Sequence, residues 1–532
     1  MNIKLHDLIC RIISYLMIAV LSLLTFFSVI STTFVNSFDQ VYYIGDKAWL
    51  HVIGIIVILA IVCILHKKLH FKVTDKVLIL SLALMAILIG IYIAIAGMPP
   101  RFDQRVVRSI AANLIVGIYD DFLPGGYGAI YPNNHGIILF YYFLMKFVGY
   151  ENYIVMQYAN LIFMVLMEIA FYFILKRITG YYREASLGLI LFMPFWGYAT
   201  FLYGNIPGFC FGVWALLFCL RFFEKHRIID VLAAGILMSI GYRFKENLII
   251  LAAAIAIMTI ARVIKTRRAK SLLLILSMLI FMLISGFISD KLLLSVAGYR
   301  KADSMPSISF LAMGLHEHET RGAGWYDDYT MDVFEEAGYD TEKASELSKS
   351  DIADSVSNFV AHPQYMTGFF IRKTASVWGE PTYYSWSLQQ GRNDKLDEEV
   401  FLPDTASVIG FANVLQTFLY FFALVYFVIH RKEQDITRLL FAIFFIGGFL
   451  FHLIWEAGSQ YALFYAMVLT VYSSIGLIDA CSLVMYWDRK KRLRAVVIAM
   501  VIGIVLSMPI ISSVLTLSRD NVRYAEYINA PY

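Results

Sequence analysis

Residues 97–136 read GMPPRFDQRVVRSIAANLIVGIYDDFLPGGYGAIYPNNHG, a charged and aromatic stretch set between apolar runs. With hydrophobic segments on both sides it must lie at one edge of a bilayer. It carries Asp103, Arg105, Arg108, Asp120 and Asp121. It also holds two turn clusters, Met98-Pro99-Pro100 and Pro124-Gly125-Gly126-Tyr127-Gly128, and the tetrad Tyr131-Pro132-Asn133-Asn134. A connector that only joins two membrane helices needs a few polar residues. This one reads as a functional site, and the rest of the chain as the scaffold that holds it.

Working outward, the 532 residues are 59% hydrophobic and 16% charged, with a mean hydropathy of +0.68. Soluble domains average about 45–50% apolar and about 25% charged. An all-α polytopic membrane protein is therefore expected. Apolar runs of spanning length occur near 9–34, 47–66, 77–97, 152–175, 184–203, 205–222, 228–242, 246–263, 271–290, 407–429, 438–456, 461–483 and 493–515, about thirteen transmembrane helices. The first run is too long for a signal-peptide core and lacks a small-residue cleavage site, so it reads as a retained span. The net charge of +4 sits in short loops, where it reports orientation and implies no nucleic-acid partner. All five cysteines fall in or beside apolar segments, leaving no disulfide framework and no CxxC metal site.

The basic clusters at 66–68, 176–183, 221–227, 262–270, 431–438 and 489–494 all fall on the cytoplasmic side if the N-terminus is inside and thirteen helices span. Residues 98–150, 290–404 and the C-terminal tail then lie outside. This count requires 135–149 (HGIILFYYFLMKFVG) to lie along the membrane or re-enter it. The expected organisation is an N-terminal membrane module (1–290) with its long extracytoplasmic loop at 98–150. A small mixed or α extracytoplasmic region (291–405) with an amphipathic helix at Thr341–Phe359 follows, and then a C-terminal membrane module (406–532).

Asp103, just beyond a span and among aromatic residues, has the setting of a general base with raised proton affinity; a solvated aspartate paired with Arg105 or Arg108 is the alternative. Asp120 and Asp121 form either a second acid or metal-binding pair, or ordinary turn chemistry before Pro124. Asp39 and Asp46, after the first span, compete with Asp103. Arg243 and Lys245 interrupt an apolar hairpin and suit a phosphate, Arg by a bidentate fork and Lys as a point charge; snorkelling to headgroups is the alternative. Glu456, Gln460 and Tyr461 form a polar run between two spans, either lining a site or anchoring at the interface. His316-Glu317-His318-Glu319 offers two imidazoles at most and lacks HExxH spacing, so a solvated loop is the better reading.

These motifs, in this order, resemble the GT-C superfamily of polytopic glycosyltransferases, especially bacterial membrane enzymes related to protein mannosyltransferases. The resemblance is carried by Asp103 in an outside loop, Tyr131-Pro132 leading into an apolar helix, and Gly241-Tyr242-Arg243-Phe244-Lys245-Glu246-Asn247. It continues in the segment MGLHEHETRGAGWYDDYTMD (313–332) and the late Trp455-Glu456-Ala457-Gly458-Ser459-Gln460-Tyr461.

The resemblance implies an inverting transfer of a sugar from a polyprenyl-phosphate carrier to an extracytoplasmic acceptor: a cell-surface glycopolymer, a glycolipid or a protein of the cell envelope. It implies Asp103 as base and Arg243 and Lys245 on the carrier phosphate. Tyr131, Asn133, His135, Glu456, Gln460 and Tyr461 would line the donor site. No metal is obligatory, and no divalent-ion site is indicated. The expected location is the plasma membrane, with the N-terminus cytoplasmic and the site outside.

The chain departs from the pattern in placing two further apolar runs before the acidic loop, which keeps Asp39 and Asp46 open, and in carrying Gln460 where an arginine is common. A transporter of lipid-linked sugars or a non-catalytic assembly subunit are the competing readings. A transporter places its ionisable residues in mid-membrane, whereas here they gather at one face.

Overall fold

The computed structural model describes residues 2–36, 39–67, 72–298, 303–318, 321–389, 403–432 and 434–485. The chain opens with α1 (Asn2–Ile30), a hairpin of β1 (Ser31–Val35) and β2 (Val41–Gly45), α2 (Ala48–Lys67) and α3 (Asp75–Ala96). The hairpin is antiparallel, with Ser31 opposite Gly45 and Val35 opposite Val41. Next come α4 (Phe102–Val116), α5 (Tyr127–Ile130), α6 (His135–Val148), α7 (Tyr153–Ile178), α8 (Tyr182–Ile190) and α9 (Met193–Trp196). Four long helices follow: α10 (Asn205–Lys225), α11 (Ile228–Phe244), α12 (Ile249–Thr266) and α13 (Leu273–Ala297). The 291–405 region holds α14 (Ser307–Gly314), α15 (Tyr329–Glu336), α16 (Thr341–Ala361), α17 (Pro363–Trp378) and α18 (Ser385–Gln389). The described chain closes with α19 (Pro403–His430), α20 (Leu440–Ile454) and α21 (Ser459–Met485).

Nine of the described helices are long and apolar enough to cross a membrane. On α2 and α3 large apolar residues such as Ile56, Ile79, Leu80 and Ile87 point outward, as lipid contact requires and water would not favour. By contrast α10 is mostly enclosed by its neighbours. The start of α3 is fixed by the Thr74 side chain accepting from Val77 N–H at 3.3 Å. Its end falls at Gly97, before Pro99-Pro100, which cannot continue a helix.

The expected count of thirteen is not reached among the described residues. α11 has 17 residues and α20 has 15, and the run at 493–515 lies outside the described residues. The expected span at 184–203 is not one helix. It breaks into α8, α9 and a 3₁₀ turn at Gly197–Thr200, because Pro194 lacks the N–H a continuous helix needs. Irregular backbone among membrane helices must find partners. The Asn160 amide supplies them, donating to the Tyr198 and Ala199 carbonyls at 2.9 and 3.1 Å. Residues 31–34, expected within the first span, belong to β1 instead.

The run at 135–149 is α6, with 14 residues. Its rise of about 21 Å falls short of the ~30 Å hydrocarbon core. α6 meets the end of α11 so closely that a Cβ at Gly136 would sit 1.8 Å from the Arg243 carbonyl oxygen. The amphipathic helix expected at Thr341–Phe359 is α16, capped by Asp340, whose carboxylate accepts from the Glu342 and Lys343 N–H groups. α17 packs into the bundle: Trp378 is buried against Phe445, Phe449 and Tyr465.

Candidate active site

A cavity of about 750 Å³ opens where the ends of α4, α11, α20 and α21 meet the 291–405 region. Its walls hold Asp39, Asp103, Tyr127, Tyr131, Asn133, Asn134, Tyr203, Lys245, Glu246, Arg321, Tyr326, Asp328, Tyr384, Glu456, Gln460 and Tyr461. Residues from opposite ends of the sequence thus share one space.

Asp103 sits in the first turn of α4, and its side chain is open to the cavity. The surrounding protein limits its hydration all the same. That desolvation raises the carboxyl above its usual range, while the Lys245 charge and a hydrogen bond from Tyr203 pull the other way. Asn134 holds this wall: its amide donates to the Tyr127 hydroxyl at 3.0 Å, and the Tyr203 hydroxyl donates to its carbonyl oxygen at 3.4 Å.

Lys245 ends α11 in extended backbone. Its Nζ lies 4.9 Å from the Tyr203 ring centre and 5.7 Å from that of Tyr461. Among the described residues no carboxylate comes within the 4.0 Å of an ion pair. Burial lowers its proton affinity, and Asp103, Glu456 and Glu246 oppose that. The Glu456 carboxyl is pushed up to about 7 by burial, against the Tyr461 hydroxyl, which donates to it at 3.0 Å, and against Lys245. The site is therefore a cation flanked by two carboxyls that both hold protons more tightly than in water.

The other expected residues divide cleanly. Tyr131, Asn133, Gln460 and Tyr461 line the cavity. Asp39 lines it too, accepting from the Tyr384 hydroxyl at 2.5 Å and from Arg321 at 3.3 Å. Asp46 is outside, accepting from the Asn413 amide at 2.7 Å and paired with His51 at 3.2 Å. Asp120 and Asp121 are also outside, in a 3₁₀ turn, with Asn113 donating to Asp121 at 3.0 Å. His135 is buried, its Nε2 2.6 Å from the Gly128 carbonyl.

Arg243 does not reach the cavity. α11 stays helical to Phe244 and then straightens, so Arg243 and Lys245 diverge. The Arg243 guanidinium lies 4.7 Å from the Tyr242 ring, beside Gly286 of α13. The joint grip expected of the two cations is not formed. His316 pairs with Asp327 at 2.6 Å and Glu317 with Arg372 at 2.6 Å, and no cluster of three or more metal-ligating side chains occurs among the described residues.

Sequence reasoning missed Lys373, on α17. It is wholly buried, and its Nζ donates to the Gly314 and Trp455 carbonyls. Gly324 packs on it with φ +71°, where a Cβ would meet Lys373 Nζ at 2.7 Å, so only glycine fits. The Ala457 N–H donates to the Gly324 carbonyl at 2.7 Å. Lys373 thus pins the strand-like segment that presents Glu456. Arg321, Tyr326 and Asp328 were likewise not singled out, although they lie in the 313–332 segment.

Residues 137–289 match the family described as dolichyl-phosphate-mannose-protein mannosyltransferase. The expected resemblance to protein mannosyltransferases of the GT-C type therefore holds over α6 to α13, which includes Tyr203 and Lys245. The match indicates glycosyltransferase activity. No curated protein and no solved structure matches the chain.

Proposed function

We propose that the chain is an inverting glycosyltransferase that moves a sugar from a polyprenyl-phosphate carrier to an acceptor hydroxyl in this cavity. The observation that carries the reading is the shared space of Asp103 and Lys245: a poorly hydrated carboxylate, and a cation without an ion-pair partner among the described residues, in one aromatic-walled cavity. Its volume falls in the ~300–1,000 Å³ range of small-molecule sites.

Asp103 takes the proton of the acceptor hydroxyl as that oxygen bonds to the anomeric carbon. The bond from that carbon to the carrier phosphate breaks, and the negative charge left on the phosphate faces Lys245. A single displacement inverts the anomeric centre, and no metal step is required. A smaller cavity of about 50 Å³ shares Lys245, Asn247, Gln460 and Tyr461 and continues between Phe209, Phe444 and Phe464. That places apolar surface directly beside the cation. Asp39, held by Tyr384 and Arg321, is placed to bind sugar or acceptor hydroxyls, so Asp103 is preferred as the base. The setting is a plasma membrane, with the N-terminus cytoplasmic and the cavity outside.

The test is a transfer assay. Radiolabelled sugars on polyprenyl phosphate are incubated with the purified protein and a membrane fraction as acceptor. Wild-type protein should label the fraction and Asp103→Asn should not; equal labelling by both removes Asp103 as the base.

A further inference from the structure

At the far end of the bundle a second cavity, of about 340 Å³, is lined by Arg177, Arg262, Arg438, Glu224, Asp435 and Thr437 above a floor of Ile178, Leu220 and Phe223. Three helices connect it to the first cavity. α10 begins at Asn205, beside Lys245, and carries Glu224 in its last turn. α12 follows Asn247 and carries Arg262. α20 follows Arg438 and precedes Glu456. The 21 residues of α10 rise about 31 Å, close to the ~30 Å hydrocarbon thickness. The second cavity therefore lies at headgroup depth on the opposite membrane face.

Its charges do not cancel. Asp435 is taken by Lys265, whose Nζ donates to it at 2.8 Å, and by the Thr437 N–H at 3.0 Å. Glu224 pairs with Arg177 at 3.4 Å. Arg262 and Arg438 have no ion pair among the described residues, and the Arg262 guanidinium carbon lies over the Phe223 ring, 4.6 Å from its centre. Two guanidinium groups that join no ion pair among the described residues border a cavity with an apolar floor, with Asp435 and Glu224 near enough to act on Arg262 but engaged elsewhere.

We propose that this cavity binds the phosphate of an anionic membrane lipid, with Arg262 and Arg438 on the phosphate and Ile178, Leu220 and Phe223 against the glycerol and upper acyl chain. Guanidinium forks suit phosphate oxygens, and basic pockets between membrane helices suit lipid headgroups. The apolar floor favours a lipid over soluble phosphate, which has nothing to place there. The site is separate from the proposed transfer reaction and stands or falls independently of it.

The test uses the full chain in detergent and follows its thermal midpoint. Short-chain phosphatidylglycerol, phosphatidylcholine of the same chain length, and inorganic phosphate are titrated separately. Phosphatidylglycerol should raise the midpoint by mass action, and phosphatidylcholine should do so much less, because its choline cation faces the arginines. Inorganic phosphate should leave it unchanged. The double variant Arg262→Gln with Arg438→Gln should need roughly thirtyfold more phosphatidylglycerol, and exposed Arg438→Gln alone, which leaves the packing intact, about fivefold more. Glu224→Gln, which removes a competing carboxylate, should need less. An undiminished response in Arg438→Gln and the double variant, or no response in wild type, overturns the proposal. A full response to inorganic phosphate overturns the lipid assignment in favour of a soluble phosphate ligand.

Discussion

Lys373, wholly buried on α17, donates from Nζ to the Trp455 carbonyl at 2.7 Å, one residue before Glu456. Burial draws its proton affinity down to about 7, and Glu456 opposes the shift. A free lysine titrates near ~10.4. Between about 7 and ~10 the unfolded chain therefore holds a proton that the folded chain has lost, so stability rises with pH across that window. Glu456 acts in the opposite sense. Its folded value of about 7 lies above the ~4.3 of a free glutamate, so the folded chain holds the extra proton and stability falls as pH rises from ~4.3 to about 7. Thermal midpoints in detergent should show Lys373→Met flattening the rise above pH 7 and Glu456→Gln flattening the fall below it. Unchanged profiles in both variants would refute the assignment. Lys373→Met also strands two carbonyls and should destabilise the fold by about 2–4 kcal/mol.

The acidic residues should separate by activity. Asp103→Asn should lower kcat by roughly 10²–10⁴, the usual worth of a general base, with the thermal midpoint nearly unchanged because its side chain is open to the cavity. Asp120→Asn and Asp121→Asn, outside the cavity, should retain most activity. Transfer rates measured side by side check this ordering; a larger loss at Asp121 than at Asp103 would reverse it.

Glu456 should appear in the pH profile. Its carboxyl titrates near neutrality, while Asp103, also raised, must be deprotonated to act. In wild type kcat/KM should therefore show an inflection near pH 7 from Glu456, in addition to the acid limb from Asp103. Glu456→Gln should abolish the inflection near pH 7 and keep the acid limb. An inflection that persists in Glu456→Gln belongs to another group.

Much of this was legible in the sequence for one physical reason. Polar and ionisable residues beside apolar runs are costly unless used, and Asp103, Lys245, Glu456 and Tyr461 all stand there and all meet in the cavity. What stayed hidden was direction and closure. Arg243 and Lys245 look equivalent as letters, but the straightening of the chain after Phe244 sends only Lys245 inward. Asn133 and Asn134 are adjacent, and only the turn shows that Asn134 ties Tyr127 to Tyr203. The run at 184–203 has the composition of a span, yet Pro194 breaks it and delivers Tyr203 to the site. Lys373 lies in a polar region where a lysine draws no attention, and its burial comes from helices distant in sequence.

The most direct measurement is the thermal midpoint of the purified protein titrated with short-chain polyprenyl phosphate, for wild type, Arg243→Ala and Lys245→Ala. A ligand of the folded state raises the midpoint by mass action. Lys245 faces the cavity and Arg243 does not, so wild type and Arg243→Ala should be stabilised and Lys245→Ala should not. No stabilisation of wild type, or undiminished stabilisation of Lys245→Ala, would contradict a carrier-phosphate site at this cavity.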